Sequence, residues 1–325
     1  MGLFVIALLG LCSAMAHAET WAERLGYPAG RKVVILHANE LGLSYETNAA
    51  GQKLTEAGKL RSSSGIPTAP WFANYASWAA LDPKGDFGLE LTLTSPWPKY
   101  RWQPVESGAL IDSLVDSQGF LWRAPMQVMV NAQLEDVEIE LEAQLRRAMD
   151  MGLRPTHLTT SRGVMFLRLD LAEVYLRFAR RHWIPAVVVE LTPELVEQFR
   201  REGVPLPEEL VALLDDYPLP KLDDFRVLPA AQSYEANKQA FLKSIADLKP
   251  GLCQFIFTPA VESSALPLIV EDATQRVWDY ELLQDEEVST ALEENGVILT
   301  DWREVMRRFE GDVSPETEGV ATDEK

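Results

Sequence analysis

The chain has 325 residues, 49 acidic against 30 basic, for a net charge of −19 at neutral pH. That excess disfavours nucleic acid and anionic surfaces as partners, because each is repelled at range, and leaves a neutral or cationic ligand as the expectation from composition. The length suffices for a sizeable core, which an exported chain of this kind needs.

Leu3 to Ala16 is a short apolar run followed by Ala16-His17-Ala18, a small-x-small cleavage signal, so residues 1–18 read as a leader removed near Ala18 and the mature chain as exported to the periplasm or medium. The run is too short to be a permanent membrane span. A lipid anchor at Cys12 is disfavoured by the bulk of Leu11. Cleavage leaves Cys253 alone, in the apolar run GLCQFIF, where a buried inert thiol is expected and no disulfide can form.

From residue 32 onward, apolar runs alternate with helical patterns. The expected strands are Lys32–Ala38, Ser62–Pro67, Phe87–Thr94, Pro155–Thr160, Ala186–Leu191, Phe225–Leu228, Cys253–Thr258 and Val297–Leu299. The clearest helix spans Leu134–Met151, where Leu134, Val137, Leu141, Leu145 and Met149 form one stripe that Gly152 ends. Further helices are expected at Leu171–His182, Pro193–Glu202, Tyr234–Leu248 and Asp285–Asn295. Continuously apolar strands between helices indicate a mainly parallel sheet covered on both faces. Seven or eight such units fit a single α/β domain over 19–310, a closed or distorted (β/α) barrel, with a doubly wound open sheet as the alternative. Ser95–Asn131 and Glu202–Lys221 are long excursions, and residues 311–325 read as a disordered acidic tail.

The first strand delivers His37, Asn39 and Glu40 together at its end, with Gly42 behind. HANELG resembles the HADDLG motif of the YdjC-like carbohydrate deacetylases. GLELTLTSPWPKYRW resembles that family's GLHLTLT segment and the SEW..YRW of an exported branch, and TAPWF the PCPWF of the same branch. RPTHLTTSRG is similar to PTHLDSHMG, and QFIFTPA to a strand ending in HP, so the resemblance runs in order from Glu19 to Arg307. It implies a distorted α/β barrel with a divalent metal at its strand ends, bound by an aspartate and two histidines, while a second aspartate takes a proton from metal-bound water attacking an N-acetyl sugar.

Position by position, this chain departs from that pattern. The base aspartate falls on Asn39, whose amide cannot accept a proton. The metal ligands fall on Glu40, Glu90 and Ser161; Thr159 and Thr258 replace an aspartate and a further histidine, and His157 alone matches. The resemblance therefore points to a degenerate metal and catalytic site, in a saccharide-binding protein impaired in catalysis. The alternative is an active N-deacetylase with a rebuilt Glu40/Glu90 site. Two carboxylates without imidazole would take Mg²⁺, Mn²⁺ or Ca²⁺ in preference to Zn²⁺, and a site beyond repair takes no metal.

Each of these residues also has a plainer reading. Glu40 and Glu90 can pair with an arginine such as Arg162 or be solvated, or act together on a glycosidic bond. Arg162 can clamp a ligand or fill the space of the ion, and His37 can be a satisfied structural histidine. Asn39 can bond a sugar or hold the strand corner. Trp71, Trp97, Tyr100 and Trp102 can stack on a sugar or pack their loops on the barrel rim. The sequence contains no GxSxG, no phosphate loop and no CxxC metal signature.

Overall fold

The structure is a computed structural model describing residues 19–201 and 206–311; the expected leader (1–18) and all of the expected tail beyond Gly311 lie outside the described residues. The sheet has seven strands: β1 (Lys32–Leu41), β2 (Ser62–Gly65), β3 (Asp86–Leu91), β4 (Leu158–Thr160), β5 (Asp224–Val227), β6 (Gly251–Phe257) and β7 (Val297–Leu299). Every strand pairing is parallel, in the order β4-β3-β2-β1-β6-β5, with β7 also on β1.

β1 is long because it serves three neighbours. β6 runs beside it from Lys32 to Ala38, β7 beside Lys32–Val34, and β2 from His37 onward, so β7 sits beneath β2 on the same edge. The expected strand Ala186–Leu191 is not a regular strand. Its backbone nevertheless closes the ring: Val187 N–H donates to Leu158 O at 2.8 Å, and Leu222 N–H to Val188 O at 2.8 Å. A curled parallel sheet inside a helical coat, in one α/β domain, is the distorted barrel expected from the alternation.

Period-two alternation sorts the side chains. On β6, Cys253, Phe255 and Phe257 face outward, where Phe241 of helix Tyr234–Ala246 meets both phenylalanine rings edge-on at 5.0 and 5.4 Å. Burial pushes the Cys253 thiol well up, as an inert core thiol requires. The opposite face packs Leu252 with Val33, Ile35, Leu222 and Trp302 into an apolar plug at the strand N-terminal ends. Above that plug the interior turns polar.

Helix Leu134–Asp150 buries Val137, Leu141 and Leu145 as expected, but Met149 emerges 42% exposed, because the last turn runs past the core. Sequence periodicity did not identify helices Tyr45–Glu56, Phe72–Leu81 or Ala273–Gln284; buried polar residues interrupt the apolar stripes of the first and third. Among the described residues no helix is long and apolar enough to cross a membrane.

Candidate functional site

The polar groups gather at the C-terminal ends of β1 to β4, the end at which barrels carry their chemistry. β1 finishes on a register break between Ala38 and Leu41, and Glu40 there has φ 60°. A left-handed conformation is costly for a non-glycine residue, about 1–2 kcal/mol. It turns the Glu40 N–H onto Glu90 Oε2 at 2.6 Å. Gly42 (φ 79°) follows because a Cβ there would come within 3.0 Å of the Phe72 backbone.

Glu40 and Glu90 thus lie together, as the motif alignment expects, yet their surroundings differ. The Glu40 carboxylate is ion-paired to Arg276 of helix Ala273–Gln284, and Arg276 also donates through Nε to Asp272 at 2.8 Å. Burial disfavours the Arg276 charge, but Glu40 and Asp272 outweigh it and hold the guanidinium protonated. Glu90 is pushed up to about 8, first by burial and then by the Glu40 charge, against the Glu40 N–H and the Ser161 hydroxyl. Burial and the neighbouring Glu40 charge thus both favour the uncharged form of Glu90.

Below the carboxylates, His37 is fully buried, with Nδ1 2.8 Å from Ser62 Oγ and Nε2 3.1 Å from Ser64 Oγ. Burial, reinforced by His157, holds its pKa well below the usual value, so the ring is neutral. Ser64 donates to Asn39 Oδ1 at 3.2 Å and lies 3.1 Å from Thr159 Oγ1. His157 meets His37 edge-on at 4.9 Å and places Nδ1 3.5 Å from Asp86. Its Nε2 is buried without a partner, packed where a Cβ on Gly88 would stand 2.4 Å away. Both histidines thus belong to the barrel's interior packing.

A cavity of about 620 Å³ opens over this floor. One wall is polar: Asn39, Glu40, Glu90, Thr159, Arg162 and Thr258. The other is apolar, with Leu191, Phe199, Leu210, Phe225 and Val227. His37, His157 and Ser161 do not line it, and nor do Trp71, Trp97, Tyr100 or Trp102. Trp97 and Trp102 are buried against each other, with ring centroids 5.5 Å apart, Tyr100 donates to Leu43 O at 2.9 Å, and Trp71 is 39% exposed beside Tyr45. These aromatics fasten the two loop segments instead of forming a wall of the cavity. Thr258 is fixed through its N–H to Asp279 Oδ2 at 3.0 Å.

The expectation for Arg162 needs correction. It is exposed, in a left-handed conformation (φ 54°), with its guanidinium 5.4 Å from the centre of the Trp97 ring. The cation that neutralises Glu40 is Arg276, which approaches the same ring at 5.8 Å. The sequence does not mark Arg276, because its contact with Glu40 spans 236 positions and its helix lacks a clean stripe.

The donor set does not fit a divalent ion. Glu40 is committed to a guanidinium, Glu90 accepts the Glu40 N–H, and both His37 nitrogens are taken. Among the described residues no three or more His, Cys, Asp and Glu side chains form a group able to hold a metal.

Residues 33–294 match the family model described as YdjC-like protein. The chain belongs to the YdjC-like family. A carbohydrate deacetylase of Thermus thermophilus is 36% identical over 280 residues, covering 84% of this chain and 93% of the relative. One of Enterococcus faecalis is 26% identical over 283 residues, covering 83% and 97%. An E. faecalis crystal structure, named for cellobiose-phosphate cleavage, superposes with TM-score 0.69 at 22% identity over 84% of this chain and 98% of the other. That likeness establishes the shared fold. This YdjC-like chain carries the barrel fold with Arg276 paired to Glu40 at the strand ends.

Proposed function

We propose that this YdjC-like protein binds a saccharide and has lost metal-dependent deacetylation. The observation that carries the reading is the Arg276–Glu40 ion pair at the aligned metal-carboxylate position. A guanidinium there supplies the positive charge that the family motif assigns to an ion, but it cannot generate a hydroxide nucleophile as a metal does. Asn39 stands at the base position with Oδ1 occupied by Ser64, leaving its amide to donate. Asn39, Thr159, Thr160 and Thr258 give the cavity the hydrogen-bonding groups a sugar requires.

The test uses the purified full chain equilibrated with Mn²⁺, Zn²⁺ or Ca²⁺. Elemental analysis should find no stoichiometric ion, and incubation with N,N′-diacetylchitobiose should release no acetate above a blank. One tightly held ion per chain, lost on Glu40→Ala and accompanied by acetate release, overturns the proposal.

A further inference from the structure

Arg162 lines the cavity without a carboxylate partner among the described residues. Its guanidinium lies over Trp97 at 5.4 Å from the ring centre, within cation–π range, and the left-handed Arg162–Gly163 pair (φ 54° and 64°) stands at the polar wall. Among the described residues none accepts a hydrogen bond from it and none forms an ion pair with it. The Glu40 carboxylate at the floor already has its own cation, Arg276, which it shares with Asp272. Arg162 is therefore a lining cation with no carboxylate partner among the described residues, although the chain as a whole carries −19. The local charge should dominate: screening at physiological salt confines the field of distant surface carboxylates to about 8 Å, whereas a guanidinium in contact with a ligand acts at hydrogen-bond range.

The opposite wall is a second unexplained feature. Phe225 is 42% exposed and Val227 63% exposed, and with Leu191 and Leu210 they extend the cavity by an apolar face that a bare sugar ring would leave unused. We infer that the ligand is an acidic glycoside: a sugar carboxylate, as in a uronic acid, engaging Arg162, and an apolar aglycone lying on Phe225, Val227 and Leu210. This inference rests on the saccharide-binding reading and narrows it. It also reverses the neutral or cationic ligand expected from overall charge.

The experiment is calorimetric titration of the full chain with phenyl β-D-glucuronide, phenyl β-D-glucoside and methyl β-D-glucuronide. The phenyl glucuronide should bind at least tenfold more tightly than either of the others. Arg162→Gln should abolish the advantage over the glucoside and leave binding of the glucoside unchanged, with Arg162→Lys retaining part of it. Phe225→Ser, at an exposed position, should weaken the phenyl glucuronide and not the methyl one. Equal affinity for glucuronide and glucoside, an Arg162→Gln variant indistinguishable from the parent chain, or no binding of the phenyl glucuronide would each overturn the acidic-glycoside assignment. Metal-dependent acetate release would instead overturn the underlying reading, whichever glycoside binds.

Discussion

Arg276 is fully buried, and among the described residues its ion-pair partners are Glu40 and Asp272. A buried ion pair contributes little net stability when formed, but removing one partner strands the other charge in a low dielectric, at about 3–5 kcal/mol. Arg276→Met should therefore destabilise by that amount in urea unfolding. Glu40→Gln on the same background should recover most of the loss, since no bare carboxylate remains. A double variant as unstable as the single one would mean that Arg276 acts through its packing on Trp97 alone. At this scale HANELG and THLTTSRG exposed the substitutions at Asn39, Glu40 and Ser161, because each lies inside a quoted motif. Arg276, Asp86 and Asp279 were not legible: their importance comes from partners far along the chain.

Helix Leu134–Asp150 anchors the long excursion that begins at Ser95. Glu140, on the same buried side as Val137 and Leu141, accepts the N–H groups of Val105 and Glu106, each at 2.9 Å. Gln144, one turn on, accepts Thr92 N–H at 3.1 Å and donates to Thr92 O at 2.7 Å. Burial pushes Glu140 up to about 7 despite these donors. Glu140→Ala leaves two backbone donors without an acceptor and should cost about 2–4 kcal/mol, with faster proteolysis between residues 95 and 131. Glu140→Gln should cost less. The folded pKa is raised above the ordinary 4.5, so Glu140's contribution is full below 4.5 and is lost as pH climbs through about 7. Stability of Glu140→Gln should accordingly change less across that window, and identical pH profiles would refute the assignment. Periodicity located this helix because most of its stripe is apolar. It said nothing of Glu140 and Gln144, which look like solvated positions until the excursion folds over them.

For the whole molecule, a charge of −19 on one domain means self-repulsion in the compact state. Raising NaCl from about 10 mM to about 200 mM shortens the screening length from about 30 Å to under about 8 Å and so weakens that repulsion. The melting temperature should rise by a few degrees; a fall would show that attractive surface pairs such as Arg177–Glu138 outweigh the repulsion. The sheet itself was largely legible. Seven expected strands appear in the sheet, and the eighth, Ala186–Leu191, contributes only isolated bridges, enough to close the ring.

The sequence alone determined the alternating α/β plan, the parallel barrel and the family, since buried strands need continuous apolar runs and motifs are contiguous. It also located the polar strand ends at Asn39, Glu40 and Glu90. Only the tertiary structure decided what those groups meet: Arg276 on Glu40, burial that raises the Glu90 pKa, and an apolar wall opposite Arg162. The reason is that charge state and cavity chemistry depend on through-space distance and solvent exclusion, which the order of residues along the chain does not contain.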